Sequence, residues 1–170
     1  MSKINSTPDF SAIAKKLKRN ALIIAKKEGV DWFVNSFNNE GFTGSSFEKW
    51  EDRKTPMDYK LLQASSYLKN SIQVVSASNK KIVFGSDAPY SKIHNEGGII
   101  TVSVTKRSRK YFWYMYKATK KEYWKWMALT KKDRMTIRIP KRQFMGESEG
   151  LMKKLNNKIS IQIQKEFKNI

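Results

Sequence analysis

At 170 residues, with 39% hydrophobic and 12% aromatic side chains, the chain is most simply one globular domain, able to bury roughly two-thirds of its unfolded surface. Thirty-four Lys and Arg against fifteen Asp and Glu give a net charge of +19, which favours anionic partners, nucleic acid first, although excess Lys also serves solubility or an acidic protein partner. The absence of cysteine excludes disulfides, thiolate metal sites and cysteine nucleophiles, and with neither a run near the roughly 18 to 20 apolar residues of a membrane span nor an apolar signal core, a cytoplasmic protein without membrane contact is expected.

The first expected element is a helix. Thr7 is its predicted N-cap, Pro8 its first residue and Asp9 an anion at the favourable end of the dipole. Ala14, Leu17, Ala21, Ala25, Gly29, Trp32, Phe33 and Ser36 recur at three- and four-residue steps and carry the helix from about Pro8 to Asn38. A glycine within such a stripe costs ~1 kcal/mol relative to alanine, so Gly29 implies either a break or, the preferred reading, a close crossing by another backbone.

The stretch NNEGFTGSSFEKWEDRKTP, from Asn38, reads as an ordered loop pinned by Phe42, Phe47 and Trp50. Leu61, Leu62, Ser65 and Leu68 follow at helical spacing, and Ile72 and Val74 then alternate as a strand. That strand pairs with IVFGS through a turn at Asn79 and Lys80. Alternating Ile100, Val102 and Val104 mark a third strand, and RMTIRI a fourth, ended by Pro140. A closing helix carries Leu151 or Met152, Leu155, Ile159, Ile163, Phe167 and Ile170 on one face, with Glu147 and Glu149 early and Lys165 and Lys168 late. The predicted fold is α+β: a mainly antiparallel sheet of about four strands against long N-terminal and C-terminal amphipathic helices, in a single domain 1–170 with a basic aromatic insertion or arm at about 106–134.

The segment APYSKIHNEGG holds the chain's only histidine, His94. Histidine chemistry needs a nucleophile, an orienting carboxylate or further metal ligands, and no motif supplies them. His94-Asn95-Glu96 matches the H-x-E start of zinc deaminases, but their later cysteine ligands have no counterpart here. Fifteen acids leave an all-carboxylate magnesium site open, although no D-x-D or E-x-K cluster marks one. The expectation is therefore no catalytic residue, no metal and no cofactor. Tyr90, Ile93 and His94 share a face of one helical turn, with His94 packing inward and hydrogen-bonding a backbone carbonyl or a Tyr hydroxyl.

GSDAPYSKIHNEGG, followed about forty residues later by IPKRQFMG, resembles the phage virion morphogenesis family of tail-completion or neck proteins. The family's Y-x-x-x-H-x-x-G-G and P-x-R-x-F-x-G runs fall on Tyr90, His94, Gly97 and Gly98, and on Pro140, Arg142, Phe144 and Gly146. GFTGSSFEKW and LLQASSYLKNSI are also similar to family segments, with Ser66 where glycine is more usual, so the resemblance spans about Asn38 to the C-terminus. It implies a structural role without catalytic residues: joining a tail to a filled head, or terminating a tail, with copies in a ring. The implied partners are other copies of the chain and the head-tail connector or tail proteins. The implied locations are the virion and, during assembly, the host cytoplasm.

Residues 106–134 carry eleven Lys or Arg and eight aromatics. Read as one helix, Phe112, Met115, Tyr116, Thr119, Tyr123, Trp126 and Met127 share a face, while Tyr111, Trp113, Tyr114 and Trp124 lie elsewhere and are the candidate interface residues. Their second surface is a neighbouring subunit, single-stranded nucleic acid, or the protein's own core. A basic nucleic-acid-binding domain is accordingly the alternative function, and with generic Lys contacts any DNA binding is expected to be weak and salt-sensitive.

Overall fold

The computed structural model describes residues 8–53 and 58–168. The first helix, α1 (Phe10–Asn39), is capped by Asp9, whose carboxylate accepts a hydrogen bond from Ala12 N at 3.0 Å. Thr7, the predicted cap, lies outside the described residues. The helix runs unbroken through Gly29, where the ring of Phe84 lies so close that any Cβ would collide with it. A side chain, rather than the expected backbone, makes the crossing.

Six strands follow, in three two-stranded antiparallel ribbons rather than one sheet of about four. The segment read as a loop folds as a small hairpin, β1 (Gly41–Thr43) with β2 (Phe47–Lys49), which buries Phe42 and leaves Phe47 exposed; Trp50, just beyond it, is buried. The helix expected from Leu61 shrinks to the single turn α2 (Tyr67–Asn70), because Leu62 and Ser66 adopt left-handed backbone, with φ of 58° and 55°, and interrupt the helical path. Then β3 (Ile72–Ala77) pairs with β4 (Ile82–Ser86) through the predicted turn, with a bulge between Val74 and Ser76. The short helix α3 (Ser91–Glu96) precedes β5 (Gly98–Ser103), which pairs across a long excursion with β6 (Arg134–Ile139), in register from Gly98 opposite Ile139 to Ser103 opposite Arg134. Helices α4 (Lys106–Thr119) and α5 (Glu122–Leu129) occupy the excursion, and α6 (Glu149–Lys168) closes the chain.

The two larger ribbons do not merge because they belong to different compact units, one built from residues up to Glu96 and from Lys141 onward, the other Gly97–Pro140. Apolar alternation dictates that strands form; it does not dictate which edges meet.

In the first unit, Phe33, Phe37, Phe42, Trp50, Leu61, Leu68, Ile72, Ala88, Phe144 and Leu151 form the core. Phe37 and Phe144 are completely buried, their ring centroids 5.1 Å apart, and Trp50 meets Phe37 edge-on at 5.5 Å. Helices α1 and α6 lie antiparallel, since Lys16 pairs with Glu166 near one end while Glu28 accepts from Lys158 at 2.6 Å and Lys154 at 3.0 Å nearer the other. Lys158 and then Lys154 hold the buried Glu28 carboxyl below the usual carboxylate range. The predicted stripe of α6 is buried only at its start: Leu151 is covered and Leu155 and Ile159 half-covered, while Met152, Ile163 and Phe167 are exposed. Ile170 lies outside the described residues.

In the second unit, α4 begins at a capping box between Thr105 and Ser108 and ends where Lys120 turns left-handed at φ 56°. Residues 106–134 therefore form two helices folded back on each other, not one continuous face. Arg109 ties them together by donating to the carbonyls of Ala128, at 3.0 Å, and Thr130. Phe112 stacks on Trp124 at 6.0 Å.

Candidate functional site

The motif residues of the first unit converge on one backbone junction. Its second half, Lys141 to Gly146, has no regular secondary structure, so its amides need other partners. Arg142 N donates to the carbonyl of His94 at 2.8 Å. Asn95 Oδ1 accepts from both Phe144 N, at 2.9 Å, and Met145 N, at 3.0 Å. Trp50 Nε1 donates to Gln143 O at 2.7 Å, and the Ser36 hydroxyl donates to Phe144 O. The Arg142 guanidinium, nearly buried, donates twice to the carbonyl of Glu51, at 3.1 and 2.9 Å. Burial lowers the pKa of this group, and the guanidinium remains a cation bound to a carbonyl dipole.

His94 meets Tyr90 edge-on, ring centroids 5.8 Å apart, one helical turn away. The expected hydrogen bond to a carbonyl or Tyr hydroxyl is not formed: Nδ1 is buried without a partner among the described residues. Burial first, and the nearby Arg142 cation second, push the imidazole below its ordinary pKa, which favours the neutral ring. The part of His94 that is engaged is its carbonyl. Among the described residues, no group of three or more His, Asp and Glu is placed to hold a metal ion.

Gly97 and Gly98 on one side, and Pro140 on the other, mark where the chain leaves the first unit for the second and where it returns. Gly97 needs its freedom, since its φ of 72° lies in the left-handed region. The motif thus brackets both crossings, and the His94–Arg142 hydrogen bond joins them at the base. Sequence reading missed Asn95, the residue that secures the returning strand. A side-chain amide accepting from distant backbone leaves no periodic trace; only its place beside the motif histidine hinted at it.

Within the second unit the candidate interface residues separate. Tyr111, Trp113 and Tyr114 are exposed on α4. Trp124 is half-buried, stacked on Phe112 with Tyr111 edge-on at 6.0 Å, and its Nε1 is buried without an acceptor among the described residues. Trp126, which a single continuous helix places on the packed face, is 67% exposed. Ala128 alone is fully buried among the described residues of this unit.

A profile of the phage virion morphogenesis family matches residues 36–164. The chain belongs to that family. Membership assigns it to phage virion assembly, and the matched span takes in both halves of the junction as well as the whole second unit. Neither the curated proteins nor the solved structures searched contain a match to this chain. Among the described residues, no helix is long and apolar enough to cross a membrane.

Proposed function

We propose that this family member is a non-enzymatic assembly protein acting in tail completion or head-tail joining, as an oligomeric ring that contacts connector or tail proteins in the virion. The observation that carries the reading is the second unit. Gly97–Pro140 has twelve Lys and Arg against two acids, and it exposes Tyr111, Trp113, Tyr114, Tyr123, Trp126 and Leu129. Exposed aromatic rings and Arg are the usual anchors of a protein interface, and so little covered apolar surface favours a partner to complete it. Light scattering from micromolar concentrations upward, alone and with a connector or tail protein, tests this. Reversible oligomers are expected; strictly monomeric behaviour throughout overturns the reading.

The same unit supports a second reading, single-stranded DNA held by lysines with bases stacked on Tyr114 and Trp126, or duplex DNA held through its phosphates alone. Because lysines neutralise phosphate without reading sequence, binding is expected to be weak and to fall steeply between low and moderate salt. Tight, salt-resistant binding would make nucleic acid the principal partner.

A further inference from the structure

In the first unit a groove of about 600 Å³ opens between α1, β4 and the start of α6. Phe33, Phe84, Leu151 and Met152 supply its apolar lining, and Glu147 and Glu149 stand on its rim. This volume falls within the ~300–1,000 Å³ typical of clefts that take a ligand or side-chain cluster. Both glutamates are exposed, and neither enters an ion pair among the described residues, which is notable in a chain of net charge +19. Lys153 also lines the groove, leaving a net negative charge at its mouth.

The chain carries a surface of the opposite character on its other unit. On α4, Lys110, Trp113, Tyr114 and Lys117 recur at three- and four-residue steps and share one face, with Trp113 and Tyr114 exposed, while Arg109 and Phe112 turn a different side of the helix to α5. A cationic aromatic knob and an anionic apolar groove are complementary in shape class and in charge. Because knob and groove are different surfaces, contact between copies is head-to-tail, the kind that closes into a ring or runs on as a filament.

We propose that the aromatic face of α4 in one copy seats in the groove of the next copy, with Lys110 and Lys117 against Glu147 and Glu149. This rests on the oligomeric reading above and gives that oligomer its contact and its polarity. The test mixes two variants of the full chain. Glu147→Lys with Glu149→Lys disables the groove and leaves the knob; Tyr114→Ala disables the knob and leaves the groove. Lys110→Glu with Lys117→Glu is a second knob variant, should Tyr114→Ala disturb the helical hairpin, and circular dichroism checks that each folds.

Each variant alone is expected to self-associate about tenfold or more weakly than the native chain, as for loss of an interface anchor. Mixed in equal amounts, groove and knob variants are expected to form a dimer that grows no further, since one intact knob then meets one intact groove. Variants that oligomerise like the native chain overturn the docking while leaving the oligomer standing, and make another protein or the chain's own arm the occupant. Weakened variants that fail to complement each other overturn the head-to-tail arrangement. A native chain that never associates overturns both readings.

Discussion

The two units use aromatic residues in opposite ways. In the first, Phe37, Trp50 and Phe144 are enclosed, and the irregular stretch beside them is held by hydrogen bonds that Trp50 and Ser36 donate to it, that it donates to Asn95, and that its own Arg142 donates to Glu51 O. In the second, rings pair with one another, as Phe112 does with Trp124, yet Tyr114 and Trp126 face outward among lysines. Aromatic density therefore says little about role until it is known whether backbone closes over the rings. Enclosed rings make a platform; uncovered ones, under the function proposed above, make an adhesive.

The sharpest way to separate platform from adhesive is to truncate one ring in each. Phe144→Ala should destabilise the first unit by about 3–5 kcal/mol, the cost of emptying a packed aromatic site. Trp126→Ala should change stability by no more than about 0.5 kcal/mol, as expected of an exposed position. Chemical denaturation followed in both variants decides it, and equal losses would erase the distinction. Next in size, Asn95→Ala leaves Phe144 N and Met145 N without their acceptor and should cost about 2–3 kcal/mol, whereas Asn95→Asp, which keeps an acceptor oxygen, should cost less. Similar losses in both variants would show that the junction does not depend on that oxygen.

A smaller effect of opposite sign is expected at Ser66, held at φ 55°. Ser66→Gly removes a left-handed penalty of about 1–2 kcal/mol and adds somewhat less in unfolded-chain entropy, so a gain of about 0.5–1 kcal/mol is expected in thermal unfolding. A loss would mean that the serine side chain matters more than its backbone. Smallest is His94→Gln, expected to leave fold and assembly nearly intact at neutral pH. Because the folded imidazole has the lower pKa, the unfolded chain binds more protons, so the native protein loses stability as pH falls through about 6.5 and on toward the folded value. Stability profiles between pH 7.5 and 5 should be flatter in the variant; identical profiles would remove His94 as their cause.

Much of the platform was readable beforehand because its signals are local. Three- and four-residue spacing marks α1 and α6, and alternation around Asn79 and Lys80 marks the β3–β4 hairpin. The misplaced helix boundaries share one physical origin. Leu62, Ser66 and Lys120 take left-handed backbone without the glycine that normally announces it, so a helix was extended at one place and two helices were fused at another. The fusion put Trp126 on the packed face and Trp124 among the candidate contacts, whereas the folded-back hairpin exposes the first and half-buries the second. Strand pairing was missed for a different reason, since β5 meets β6 only after thirty intervening residues, and edge choice across such a loop is a tertiary matter.

The bond from Arg142 N to His94 O has a topological consequence. The chain comes back to the platform within one hydrogen bond of its point of departure, so everything between is a detour whose two ends coincide. Such a detour is free to lengthen, shorten or change its chemistry without displacing Phe144 or Asn95. A single mount of this kind suits many attachments.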